Sequence, residues 1–231
     1  MRAVQKIQKH EDGHRKRVCE KLINNGHENL YDYETVELML FLIFKRKDTK
    51  PLAKILIQKF KTIDGILNAS KDELLSIDGI GESTFRSLQI IKAIVIATLK
   101  SKITKRNTID CFDDVINYCK VNMKNLTAEE FRIIFLNGIN EVISDEVVQR
   151  GSIDSVDIYP REIVKKCIEK GAKSFILVHN HPSGDPTPSP NDIYATKKIK
   201  SAAELFNINL FDHIIIGGDR YISFKNLLIL K

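Results

Sequence analysis

The stretch Ser174-Phe175-Ile176-Leu177-Val178-His179-Asn180-His181-Pro182-Ser183-Gly184-Asp185-Pro186-Thr187-Pro188-Ser189-Pro190-Asn191-Asp192 reads as a buried strand, a rigid turn and the start of a helix. Ser174 to Val178 is a nearly continuous apolar, β-prone run, the pattern of a strand covered on both faces. Strand side chains alternate, so His179 and His181 project from one side at its end. Prolines and a glycine then lead to Ser189. There Ser-Pro-Asn-Asp supplies an N-cap, a proline at the first helical position and an acid at the third. The first turn of that helix brings Asp192 back toward the histidines. Two imidazole nitrogens and one carboxylate suit Zn2+, and three protein ligands leave a fourth position for water, as in catalytic sites. Asp192 also reads as the acid of a capping box, and the histidines as polar residues closing a strand. Without a metal, however, those polar groups crowd beside a buried strand and lack partners.

The spacing His179-x-His181, then ten residues to Asp192, resembles the JAMM (MPN+) metalloprotease motif. The longer string from His179 to Asp192 resembles the signature of the RadC family. The likeness extends upstream through Arg150-Gly151-Ser152 and Tyr159-Pro160-Arg161-Glu162-Ile163-Val164, and downstream through Asp212-His213-Ile214-Ile215-Ile216-Gly217. It covers most of residues 107–231. The resemblance implies a zinc-dependent hydrolase of the JAMM type cutting peptide or isopeptide bonds, with a protein or peptide as substrate. The family name links it to DNA repair or recombination.

A metal hydrolase also needs a general base. The resemblance places it on a glutamate at the start of an apolar strand some tens of residues before the histidines. Here Glu129-Glu130 precedes Phe131-Arg132-Ile133-Ile134-Phe135-Leu136. Glu130 is the expected base, and a shift of one residue in register would substitute Glu129. Ser189 matches the family's serine, expected to donate to the oxyanion; its other role is the N-cap alone. Asn180 and Ser183 are read as turn-stabilising, Arg161 and His213 as supports of the fold.

The 231 residues, 43% of them hydrophobic, suffice for one large or two modest cores. No apolar run approaches the about 18 residues of a membrane span, and the first residues lack a signal peptide's apolar core, so a cytoplasmic location is expected. Cysteines 19, 111, 119 and 167 show no Cys-x-x-Cys spacing and are expected to be reduced core residues. Residues 1–106 carry 21 basic against 13 acidic side chains, net +8, and residues 107–231 carry 15 against 17, net −2. The polar segment Lys100–Thr108 reads as a linker. Two domains are expected, an all-α bundle over 1–105 and an α/β domain over 106–231.

In the first half, Arg17–Asn24, Tyr33–Phe44, Leu52–Phe60 and Lys71–Leu75 have helical apolar spacing. Leu74 to Leu88 resembles a helix-hairpin-helix, whose Gly-x-Gly turn can present backbone amides to a DNA phosphate. Gly79, Ile80 and Gly81 are the expected DNA contacts, with Ile77 and Ile80 packing inside. Asp78 and Glu82 would repel phosphate, and an ordinary αα turn explains the same glycines. In the second half, strands at Phe131–Leu136, Val142–Gln149, the run ending at His179, His213–Ile216 and Tyr221–Phe224 alternate with helices at Pro160–Lys170 and Ser189–Phe206. The resemblance gives this mixed sheet the JAMM/MPN fold, related to the cytidine-deaminase architecture. A deaminase itself is disfavoured, since His-x-Glu and Pro-Cys-x-x-Cys are missing. The main alternative function is DNA binding through the hairpin with a non-catalytic metal site. Nuclease action is disfavoured by the acidic balance of the second half.

Overall fold

The computed structural model describes residues 2–104, 106–108, 110–151 and 159–229, with residues 2–12 described in backbone only. Ser152 of the family-like string and Lys105 of the expected linker lie outside the described residues. The chain divides into two compact units, residues 1–94 and 95–231.

The first unit is helical. After α1 (Arg2–Asn25) and a short 3₁₀ turn come α2 (Asp32–Ile43), α3 (Lys50–Phe60), α4 (Ile63–Asn68), α5 (Lys71–Leu75) and the beginning of α6 (Glu82–Ile103). Its core is Val36, Leu40, Leu52, Ala53, Leu56, Ile66, Leu74, Ile77, Ile80 and Leu88. The expected inward packing of Ile77 and Ile80 is observed. Short helices need explicit starts because an isolated turn is unstable. Ser70 supplies one, its hydroxyl accepting from the Glu73 amide while the Glu73 carboxylate accepts from the Ser70 amide.

The second unit is an α/β sandwich. Its strands β1 (Glu130–Leu136), β2 (Val142–Arg150), β3 (Ser174–Asn180), β4 (Asn209–Gly217) and β5 (Arg220–Ser223) form one sheet in the order β2-β1-β3-β4-β5. Only β3 and β4 are parallel, joined through helix α9 (Pro190–Glu204). Alternation along the strands sends Ile134, Leu136, Ile176, Val178, Ile214 and Ile216 to one face, against α7 (Phe112–Met123) and the end of α6. Phe131, Ile133, Phe135, Phe175 and Leu177 go to the other, against α8 (Pro160–Glu169) and α9. All seven residues of β3 are buried, the polar His179 and Asn180 at its end included, where the apolar run Phe175 to Val178 predicts a strand covered on both faces.

Two expectations change. Lys100–Thr108 is not a free linker: α6 runs to Ile103, which is 1% exposed in the core of the second unit, and Thr104 and Asn107 bridge to Val142 and Glu141. The lysine-rich composition masked a single buried apolar anchor. Helix α7 is the other change, an element absent from the sequence reading although Val115, Ile116, Cys119 and Met123 are spaced for one buried face. Cys111, Cys119 and Cys167 are buried free thiols, and burial pushes Cys119 and Cys167 up to about 12, which keeps them inert.

Candidate metal centre

His179 is the penultimate residue of β3, and His181 follows the strand, its amide donating to the Ile216 carbonyl (2.8 Å). The loop from Pro182 to Pro188 then crosses the end of β4. A side chain at Gly217 would meet the Pro186 nitrogen at 2.5 Å, so the close approach requires glycine there. At the far side Ser189 caps α9. Its hydroxyl accepts from the Asp192 amide (3.1 Å), while the Ser189 amide and hydroxyl both donate to Asp192 Oδ2 (2.7 Å each).

The result is a convergence of two ring nitrogens on the Asp192 carboxylate. His179 Nε2 lies 3.0 Å from His181 Nε2 and 3.2 Å from Asp192 Oδ1, and His181 Nε2 lies 3.5 Å from Asp192 Oδ2. Ligands bonded tetrahedrally to one ion at about 2.0–2.1 Å sit about 3.3–3.4 Å from each other, so the spacing matches. The tautomer of His181 also fits. Its Nδ1–H donates to the Asp185 carbonyl (2.8 Å), which can only accept, leaving the Nε2 lone pair turned toward His179. Two imidazole nitrogens facing each other beside a buried carboxylate require a proton or a metal cation between them.

The electrostatics agree. Burial alone would raise the Asp192 carboxyl, but the two imidazoles against it and the hydrogen bond from Ser189 outweigh burial and hold Asp192 far below the usual carboxylate range. The Asp192 hydrogen bond raises His181 above an ordinary imidazole, and the charge of Glu129 adds to the shift. Burial drives His213 well below 6.5, so it is neutral.

Glu130, the residue expected to act as base, does not face this site. In the β1–β3 ladder Phe131 is the partner of His179, and the two rings stack at 5.8 Å. Phe131 and His179 therefore share a face, and Glu130, one residue earlier, points to the other. Its carboxylate accepts from Arg132 (2.8 Å) and Arg150 (3.1 Å), and Arg132 also pairs with Asp145. Alternation puts Glu129 on the His179 side, half-buried, consistent with its effect on His181.

Asn180, between the two histidines, is likewise not a turn residue. Its Oδ1 accepts from the Glu130 amide (2.8 Å) and its Nδ2 donates to the Ala128 carbonyl (3.2 Å), so one 1%-exposed side chain grips the backbone on both sides of Glu129. Asn180→Ala is expected to leave the buried Glu130 amide without its partner, costing about 1–3 kcal/mol. Urea unfolding checks the loss, and faster hydrogen exchange at the Glu130 amide checks its place. Ser183 does stabilise the turn, accepting from the Asp185 amide (3.3 Å), whereas Arg161 is exposed, pairs with its neighbour Glu162 and lies over the Tyr159 ring. His213 touches the site: its Nε2 lies 2.8 Å from His179 Nδ1.

The hairpin glycines lie in the other unit, between α5 and α6. Gly79 has φ +87, and the position of a Cβ there would be 2.7 Å from Lys47 Nζ. Ile80 is corrected as a phosphate contact: its side chain is buried and its amide donates to the Ile77 carbonyl (3.0 Å), closing the turn. No helix among the described residues is long and apolar enough to cross a membrane.

Comparison with known proteins gives the same picture. A RadC-like JAB domain matches residues 109–229, spanning the sheet, the loop and α9. A UPF0758 protein of Ruegeria pomeroyi is 40% identical over 212 residues, which cover 92% of this chain and 95% of that protein.

Proposed function

This chain belongs to the RadC family, and from that premise we propose that it is a zinc-dependent hydrolase of peptide or isopeptide bonds. The observation that carries the reading is the convergence of His179 Nε2, His181 Nε2 and one Asp192 oxygen. Such a donor set leaves a coordination position open. Zinc, when bound, acidifies water and polarises a carbonyl.

The rest belongs to the chain. Glu129, on the His179 face, accepts the proton from the attacking water at its carboxylate and returns it to the leaving amine. Asn180 holds the Glu129 backbone against β3 through Ala128 and Glu130. The Ser189 hydroxyl donates to Asp192 Oδ2 and so holds that ligand. Rotated away from Asp192, the same hydroxyl donates to the oxyanion of the tetrahedral intermediate, an interaction worth about 10²–10³ in rate. Phe131 and Phe224 flank the neutral His213 and keep water from the inner side of the histidine pair.

The test combines elemental analysis of the full chain with hydrolysis of a pooled peptide library read by mass spectrometry. About one zinc per chain is expected, with cleavage that a chelator abolishes and zinc restores. Absence of metal after zinc loading would overturn the reading. Function would then fall to the helical unit, with its basic excess and Lys47 beside the Gly79 turn, as a DNA-backbone binder.

A further inference from the structure

We infer that Thr196, which contributes no metal ligand, sets the tautomer of His179 through His213 and thereby determines whether the site can accept a cation. This rests on the metal site proposed above. Thr196 lies one helical turn beyond Asp192 on α9 and is fully buried. Its Oγ1 is 2.5 Å from the Asp192 main-chain carbonyl and 2.6 Å from His213 Nδ1.

A hydroxyl has one proton, and a carbonyl can only accept. The Thr196 proton therefore goes to Asp192, and its oxygen must accept from His213, which fixes the His213 proton on Nδ1. His213 is 1% exposed, and among the described residues its ring bonds only to the Thr196 hydroxyl and the His179 imidazole, with no carboxylate bonded to it. A neutral ring with its proton on Nδ1 has a lone pair on Nε2. That lone pair, 2.8 Å from His179 Nδ1, accepts the His179 proton. His179 Nε2 is left bare, facing His181 and Asp192.

Run in the opposite direction, the same contacts close the site. A Thr196 hydroxyl donating to His213 would put the His213 proton on Nε2 and the His179 proton on its own Nε2, where a cation must bind. The distances permit both directions; the Asp192 carbonyl selects one. Asp192 thus acts twice, through its carboxylate as a ligand and through its main chain as the fixed end of a chain of hydrogen bonds. Thr196 and His213 are positioning residues, in the manner of outer partners that orient metal-binding imidazoles.

Thr196→Val and Thr196→Ser separate this role from packing. Valine has the shape of threonine without the acceptor; serine keeps the hydroxyl and loses a methyl. Competition with a chromogenic chelator is expected to show zinc held about 10–100-fold more weakly by Thr196→Val and nearly as in the wild type by Thr196→Ser. A packing role predicts the reverse order, since only serine leaves a hole. Imidazole 15N NMR of the metal-free wild type should find the His213 proton on Nδ1, and that of Thr196→Val should find it on Nε2. An Nε2 proton on His213 in the wild type, or equal zinc affinity of Thr196→Val and wild type, would overturn the inference. Failure of the wild type to bind zinc would instead sink the metal site, while the NMR assignment still decides the direction of the chain.

Discussion

Replacing Glu129 by glutamine is expected to lower peptide hydrolysis by about 10²–10⁴ with zinc content unchanged, because the amide keeps the size of the side chain and removes its basicity. Replacing Glu130 by alanine is expected to do the opposite. Its carboxylate is 6% exposed and bound by Arg132 and Arg150 on the far face of the sheet, so its loss leaves Arg132 with less counter-charge in a buried place. Breaking such a pair costs about 3–5 kcal/mol, and the low end applies because Arg132 retains Asp145. Arg150 is largely exposed and adds little. Turnover per folded molecule and urea unfolding, measured on both variants, separate the roles. Full turnover in Glu129→Gln would show that the face assignment does not identify the base.

The second large effect is loss of the metal. Asp192→Asn keeps the side-chain shape but removes the charge that faces both histidines, and His181→Ala removes one nitrogen donor. Each is expected to reduce zinc affinity by more than the about 10–100-fold typical of losing an outer partner. Elemental analysis after dialysis reads this directly, and zinc retained in His181→Ala would move the site elsewhere. Acid should act in the same direction. Asp192 raises His181 above 6.5, and metal binding must expel that proton, so affinity falls by about tenfold per unit as pH drops below the raised value. The metal-free fold responds differently. The raised His181 adds stability that is complete below pH 6.5 and lost as pH rises through its folded value, while the depressed Asp192 adds stability present above 3.8 and lost only in stronger acid. Between neutral pH and about pH 5 the His181 contribution grows, while the buried, neutral His213 contributes with the opposite sign because only the unfolded chain protonates it there. The clear expectation over this range is therefore the shrinking of the stabilisation that zinc adds, read by thermal unfolding with and without zinc.

The His-His-Asp cluster was legible because each of its residues is placed by local structure. Strand alternation places His179 beside His181, and the Ser-Pro-Asn-Asp helix start turns Asp192 toward them, all within one segment of chain. Most element positions were legible for the same reason, since apolar periodicity is a property of neighbouring residues. The end of α6 was not, because Ile103 is one apolar residue in a basic segment and only its burial against the sheet identifies it. Thr196 left a faint signal, its spacing of four from Asp192 putting both on one side of a helix. Its meaning depends on His213, which β4 brings from the other side of the parallel pair.

By itself, then, the sequence determined a helical first part, an α/β second part and a His-His-Asp cluster at the end of a buried strand. Tertiary structure alone decided which of two adjacent glutamates faces that cluster, what Asn180 grips and which proton His179 carries. Periodicity fixes the faces of one element relative to itself. The pairing of β1 with β3 across about 50 residues of chain is a non-local register, and a shift of one residue in it exchanges every side chain between the two faces.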